Sequence, residues 1–398
     1  MRKKAAIVGY AETPYTRPKS RDAMFTAEEY FGQATDLALK HAGMSKSDLD
    51  GQGLGIAGTI YPHAEIWSTE VAQNLGISPR IMVRGDQGGA NGAALLIQAA
   101  CVINAGVVDT FLCVCGDAPT LSASGGGLGA RTWRYEGDFW IPIGMMGPNA
   151  EFSFIMRRHM HQYGTTPDQL GRIAVSQRQN ASHNPNAYLR TPITLEEYLG
   201  SRVIADPIKL LDCCISVNGG VAFIVTSAEK ARQVTDKPVY LLGFGEADNY
   251  TAGSRNRPDM TVTGIKVAAK DAFEMAGAKP RDMSFAQIYD DYTVAVLMQL
   301  EDAGFCNKGE GGAFLEDTDL SFSGRLPVNT HGGQLSAGQA GIGGGFGHIV
   351  EAVRQLRGEG GGRQVKNATI GLVTGIGGIA HGSNLACTIA MVLGNEAT

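Results

Sequence analysis

No stretch of this chain is both long enough and free enough of charge to cross a bilayer. No basic run marks a nucleic-acid groove, and the formal net charge of -5 is mild. Zinc-ligand spacing is missing as well. The seven cysteines are Cys101, Cys113, Cys115, Cys213, Cys214, Cys306 and Cys387, and neither Cys113-x-Cys115 nor the Cys213–Cys214 pair is spaced to hold a metal. Their odd number, mostly inside apolar segments, indicates reduced thiols and an expected cytoplasmic location. The opening Met1–Val8 has an apolar core too short for a signal peptide and runs into Glu12 and Pro14, so a first buried strand is expected there. The ending, Asn395–Thr398, matches no peroxisomal or retention address. What remains is a 398-residue chain, 43% hydrophobic, sized for two similar domains or one large α/β body.

The chain repeats itself. A helical stretch ends at Ala42-Gly43, followed by Asp48-Leu49 and the apolar Leu54-Gly55-Ile56. In the second half Val267–Met275 ends at Ala276-Gly277, followed by Asp282-Met283 and Phe285–Ile288 at the same offset. Further on, a glycine-led helix from Gly92 to Gly106 precedes the strand Thr110–Cys115. A second one, from Gly345 to Gly358, precedes Thr369–Thr374. Continuous apolar strands alternating with amphipathic helices describe strands buried on both faces with helices outside. Between the halves runs a long irregular stretch from Pro119 to about Ala205, with Gly125-Gly126-Gly127, Trp133 and Trp140, of the kind that forms binding lids or interfaces. Within it Ala150–Tyr163 and Pro167–Asn180 read as helices.

Asp86-Gln87-Gly88-Gly89-Ala90-Asn91-Gly92 follows the short run Ile81-Met82-Val83 and opens a helix. Strand, glycine turn and helix aim backbone N–H groups and a positive dipole end at whatever sits on the turn. This segment resembles the nucleophile turn of thiolases, especially the sterol-carrier-protein type, where Cys-x-Ser-Gly starts the helix. Asn91-Gly92 then matches Ser-Gly, and Gly89 stands where the nucleophilic cysteine belongs. The resemblance covers at least nine-tenths of the chain, including Tyr163–Thr166, Ala181–Pro185, Asp206-Pro207, Leu211–Cys214 and Gly304–Gly312. It implies an α/β duplicated thiolase fold: two similar mixed-sheet halves layered α-β-α-β-α with an inserted loop domain. The N-terminal half would be residues 1–235, with the loop domain at about 119–205, and the C-terminal half residues 236–398.

The other catalytic slots of the resemblance are altered too. The His-Asp-x-Phe segment reads Tyr289-Asp290-Asp291-Tyr292, so Tyr289 fills the histidine slot. Asn329-Thr330-His331-Gly332-Gly333 fits the family's last block, but its Gly-His-Pro is Gly338-Gln339-Ala340. Gly375-Ile376-Gly377-Gly378 carries no second cysteine. Without nucleophile and base, thiolysis in its family form is excluded. Glutamine still donates hydrogen bonds to a thioester oxygen or enolate, and a tyrosine handles a proton or binds a hydroxyl. These abilities suit retro-aldol cleavage of a β-hydroxyacyl-CoA, and the pattern resembles the thiolase-like aldolases of steroid side-chain degradation. Those tend to carry a second tyrosine where this chain has Gln339. Two alternatives stay open: a thiolase-type acyltransferase (acetyl-CoA acetyltransferase-like) with an unorthodox nucleophile, and a non-catalytic acyl-CoA-binding subunit.

The candidate site residues are therefore Tyr289, Gln339, Gly89, Asn91, Asp290 and His331. Each has a plainer reading. Tyr289 can be a strand-end aromatic. Asp290 or Asp291 is either a base or the N-cap of the segment from Val294. His331 and His381 suit structural hydrogen bonds. Cys101 belongs to the core, Cys213 and Cys214 to packing, and Cys306 is the cysteine that glycine-rich neighbours would expose as a substitute nucleophile. The resemblance implies a coenzyme A thioester as substrate, entering through the loop domain where Arg172, Arg178, Arg190 and Arg202 can meet phosphates. It implies no metal and no tightly bound cofactor. It also implies a homodimer with Ile81–Val83 near the interface, and a small zinc-ribbon/OB-fold protein partner, with neither nucleic acid nor membrane.

Overall fold

The computed structural model describes residues 5–19, 25–58, 67–121, 136–145, 147–254, 257–380 and 384–396. The strands are β1 (Ala5–Glu12), β2 (Gly53–Ala57), β3 (Ile81–Arg84), β4 (Thr110–Asp117), β5 (Val203–Ala205), β6 (Ile208–Lys209) and β7 (Gly219–Ser227). They continue with β8 (Val239–Asp248), β9 (Gly253–Ser254), β10 (Arg257–Pro258), β11 (Phe285–Gln287), β12 (Ile370–Ala380) and β13 (Asn384–Gly394). The helices are α1 (Ala27–Ala42), α2 (Trp67–Leu75), α3 (Asn91–Asn104), α4 (Gly147–Tyr163), α5 (Pro167–Ser182) and α6 (Leu195–Leu199). The second set is α7 (Ala228–Val234), α8 (Ile265–Ala276), α9 (Thr293–Asp302), α10 (Gly311–Asp317), α11 (Gly333–Ser336) and α12 (Gly344–Leu356).

Among the described residues nine strands form one mixed sheet in the order β11-β12-β13-β8-β1-β7-β4-β2-β3. Outward from the seam between β1 and β8, both wings follow one plan. β1, β7, β4 and β2 on one side match β8, β13, β12 and β11 on the other. In each wing the first two pairings are antiparallel and the third is parallel. Among the described residues the seam pairs Ala6 with Tyr240 and Ile7 with Val239. Helix α1 lies on β1, β7 and β4, and α8 on β8 and β13, while α3 and α12 touch each other and strands of both wings. The expected α-β-α-β-α layering is thus present, with the two wings joined into one sheet wrapped around α3 and α12.

Local chemistry explains the repeated signal. Helices α1 and α8 both end on a left-handed glycine, Gly43 and Gly277, where a side chain would be strained. In the short turns that follow, Asp48 accepts the Ser45 N–H and Asp282 the Lys279 N–H, each at 2.8 Å. The recurrent aspartate is a turn clamp. Strands β4 and β7 are buried along almost their whole length, as strands covered on both faces must be.

Among the described residues β3 pairs only with β2, so Ile81–Val83 is a sheet edge there, with residues alternating between half-buried and exposed and Met82 39% exposed. The segment 136–212 packs α5 against α9, α10 and α11. Gly125–Gly127, Trp133 and His381 lie outside the described residues. Among the described residues no helix is long and apolar enough to cross a membrane.

Candidate active site

Beyond β3 the chain makes a 3-10 turn over Gly88–Ala90 and enters α3. Asn91 is buried, and its Oδ1 accepts the Gln87 N–H at 2.7 Å, tying the turn to the helix it precedes. The turn is wedged between two glycine backbones. A Cβ at Gly377 of β12 would overlap the Gln87 carbonyl, and one at Gly345 of α12 would overlap the Gly89 carbonyl. A Cβ at Gly89 would overlap the phenol of Tyr289. The space in which a residue-89 side chain would stand is filled by a side chain from the other half.

Tyr289 is held from both ends of its backbone. Asn329 clamps the preceding residue, accepting the Ile288 N–H at 2.7 Å and donating to the Ile288 carbonyl at 2.8 Å. Thr374 Oγ1 of β12 accepts the Tyr289 N–H at 3.0 Å, and Gln299 Nε2 of α9 donates to the Tyr289 carbonyl at 2.7 Å. The phenol oxygen accepts from Gln339 Nε2 at 3.2 Å, and the Cys214 thiol donates to Gln339 Oε1 at 3.2 Å. Tyr289 and Gln339 are both buried. The structure therefore brings Gly89, Tyr289 and Gln339 together, as the alignment required.

Cys214 joins them, which corrects its reading as mere packing; its neighbour Cys213 makes weak sulfur contacts to the Lys209 carbonyl and Asn149. Burial, then the charge of Asp291, push the Tyr289 phenol well above its ordinary pKa, which favours its protonated form. Burial also raises all seven cysteines, with Cys306 and Cys213 pushed up to about 12. None is an activated thiolate. Cys101 is half-buried on α3, packed beside the core rather than within it.

Asp290 is not the N-cap of α9, which begins after Tyr292 without a side-chain cap. It faces the opposite way and caps α11, accepting the Gln334 N–H at 2.9 Å and the Leu335 N–H at 3.2 Å while pairing with His348 Nε2 at 3.0 Å. A Cβ at Gly333 would overlap this carboxylate. Asp291 is half-buried, its Oδ1 is buried without a hydrogen-bond partner, and burial followed by the charge of Asp290 pushes it up to about 8. His331 is buried one ring further back. Its imidazole meets His348 edge-on at 5.1 Å, while the His348 ring lies 5.9 Å from that of Tyr289. The His331 carbonyl accepts from Asn184 at 2.9 Å, and burial holds its imidazole well below the ordinary histidine range.

Arg178 departs from its expected role. Its buried guanidinium donates to Ser336 Oγ at 2.9 Å and to the Thr191 carbonyl at 3.5 Å, so it ties α5 to α11 and is turned away from solvent phosphates. Arg172, Arg190 and Arg202 are exposed. Sequence reasoning also missed Thr374, Gln299 and Asn149. Asn149 accepts the Tyr292 phenol at 2.5 Å, and Tyr292 stacks on Phe152 at 4.3 Å. The Thr374 and Asn149 contacts join residues 85 and 143 positions apart, so local sequence does not signal them, whereas Gln299 lies 10 residues after Tyr289 on the next helix.

The family model described as "Thiolase C-terminal domain-like" matches residues 246–390. The chain is 35% identical to the 17-hydroxy-3-oxo-4-pregnene-20-carboxyl-CoA lyase of Mycobacterium tuberculosis, over 89% of this chain and 92% of that protein. It is 32% identical to an acetyl-CoA acetyltransferase of Methanothermobacter thermautotrophicus, over 94% of this chain and 96% of that protein. Among solved structures, the Ltp2-ChsH2(DUF35) aldolase superposes with a TM-score of 0.85 at 32% identity, covering 99% of this chain and 98% of that one. The chain belongs to the thiolase superfamily.

Proposed function

We propose that this protein cleaves the Cα–Cβ bond of a β-hydroxyacyl-CoA by a retro-aldol reaction. The observation that carries this reading is the Tyr289 phenol filling the nucleophile's place at Gly89 while no cysteine is activated. The β-hydroxyl loses its proton and becomes a carbonyl, the Cα–Cβ bond breaks, and its electron pair passes to a thioester enolate. Tyr289 accepts from Gln339, which leaves its own O–H to bind the substrate hydroxyl oxygen. The second N–H of Gln339 is the donor for the enolate oxygen, since the Ala90 and Asn91 amides of the turn already donate to the Gln87 and Gly88 carbonyls. No covalent intermediate is needed. The lyase and the aldolase among the similar proteins support this reading.

Coenzyme A enters through the loop domain in this proposal, with exposed Arg172 and Arg202 as phosphate contacts. The protein works without a tightly bound cofactor, in the cytoplasm, as a homodimer. A small partner of the zinc-ribbon and OB-fold kind is proposed too, supported by the name of the Ltp2-ChsH2(DUF35) aldolase. Residues 1–235 and 236–398 are the proposed halves, a division that the matching wings of the sheet support.

The test is incubation of the purified protein with β-hydroxyacyl-CoA thioesters, with and without free CoA, followed by mass spectrometry. The expected result is a shortened acyl-CoA plus a carbonyl compound without added CoA. Iodoacetamide and Cys306→Ala are expected to leave that activity within severalfold. A CoA-dependent reaction on a β-ketoacyl-CoA, with a trapped acyl-cysteine, establishes the acyltransferase reading instead. Thioester binding with neither reaction establishes the binding subunit.

A further inference from the structure

Resting on the retro-aldol reading, we infer that Asp291 is the acid–base residue of the site: its carboxylate takes the β-hydroxyl proton, and its carboxyl returns that proton to the enolate carbon. The geometry that places it there is a stitch between two segments. The Asp291 carbonyl accepts the Cys214 N–H at 2.9 Å, and the next residue, Tyr292, bridges to Cys213. This seats Asp291 beside the Tyr289–Gln339–Cys214 chain. After burial, the charge of Asp291 is the largest influence on both the Tyr289 phenol and the Cys214 thiol. Its Oδ1 is buried without a hydrogen-bond partner although the residue as a whole is half-buried.

The other titratable groups around it are committed. Asp290 gives both oxygens to the α11 amides and one of them to His348. Tyr289 and Cys214 stay protonated, with Gln339 between them. Tyr292 donates to Asn149, and burial raises it well above its ordinary value. Cys213 faces the Lys209 carbonyl and is pushed up to about 12, the Glu151 charge on α4 bears on Tyr292, and His331 lies behind His348. Asp291, raised to about 8 by burial and by Asp290, populates both protonation states near neutrality, as a group that takes and returns one proton must. The step balances internally. The O–H pair becomes the carbonyl π bond, the Cα–Cβ pair becomes the enolate and then the new C–H bond, and one proton travels from hydroxyl to Asp291 to Cα. No co-reactant is consumed.

The experiment compares wild type, Asp291→Asn and Asp291→Glu in kcat/KM for a β-hydroxyacyl-CoA from pH 6 to 10. It also follows exchange of the product acyl-CoA's Cα hydrogen in D2O. Wild type is expected to gain activity as pH rises through about 8, where the carboxylate forms. Asp291→Asn is expected to lose about a hundredfold to ten-thousandfold, together with that limb and the exchange. Asp291→Glu is expected to keep a limb at a displaced pH, and it carries the test if the asparagine variant does not fold. An active Asp291→Asn with an unchanged limb, or an Asp291→Glu limb that does not move, overturns the assignment while leaving the lyase reading intact. A wild-type protein that neither cleaves nor exchanges overturns the lyase reading, and the role of Asp291 falls with it.

Discussion

At residue 89 the absent side chain acts as a contact surface, because the Tyr289 phenol occupies the volume that a Cβ would need. Gly89→Ala is therefore expected to displace the phenol from Gln339 and lower turnover at least as much as removing the hydroxyl does. Gly89→Cys alone is not expected to confer thiolysis, measured as CoA-dependent cleavage of a β-ketoacyl-CoA. Tyr289→Phe keeps the ring and removes only the donor, so kcat/KM is expected to fall about a hundredfold to ten-thousandfold while circular dichroism stays native. Asp291 adds a stability signature at the same scale. Folding raises it from the ordinary carboxylate range to about 8, so the folded state favours the protonated form. Its contribution is complete below about pH 4 and is lost as pH rises towards about 8. Asn has no such proton, so the melting temperature of Asp291→Asn relative to wild type is expected to climb across that window.

The elements around the site are joined by buried polar contacts rather than by the sheet alone. Asp290 couples the segment after β11 to α11 and α12. Behind it, Glu351 on α12 accepts from Thr330 at 2.7 Å and pairs with Arg354 at 2.7 Å and Arg363 at 2.9 Å, while Arg354 continues to Glu12 of β1 at 2.9 Å. Although burial alone would raise Glu351, Arg363 and Arg354 hold it well below the usual carboxylate range. Its stabilisation is present at neutral pH and is lost as the pH falls below that range. Removing one partner of a buried charge cluster leaves the others uncompensated, so Glu351→Gln is expected to cost about 3–5 kcal/mol in urea unfolding. The slope of the transition is expected to stay unchanged.

At the scale of the whole molecule, β3 has no second partner among the described residues, and a bare edge strand invites another strand. Light scattering at micromolar concentration is expected to give twice the chain mass. Met82→Lys, a charge placed on that edge, is expected to shift the population towards monomer without changing the melting profile of the monomeric fold. A wild-type monomer overturns the proposed dimer.

The duplication was legible because turn chemistry is local. The glycine that ends a helix and the aspartate that clamps the next turn do the same job in both halves, at Gly43 and Asp48 and again at Gly277 and Asp282. The strand–turn–helix at Gly89 and the altered slots at Tyr289 and Gln339 were legible for the same reason, being short motifs carried by the resemblance. Which further residues meet these three was not legible. Cys214 looks like packing in sequence and reaches Gln339, 125 residues away, only because the chain folds back there. Asp290 and Asp291 are adjacent and chemically identical, and the sequence left both open as base or cap. Tertiary structure alone turned one to the amides of α11 and left the other with an unpartnered oxygen beside Tyr289, because burial and neighbouring charge depend on where distant segments pack.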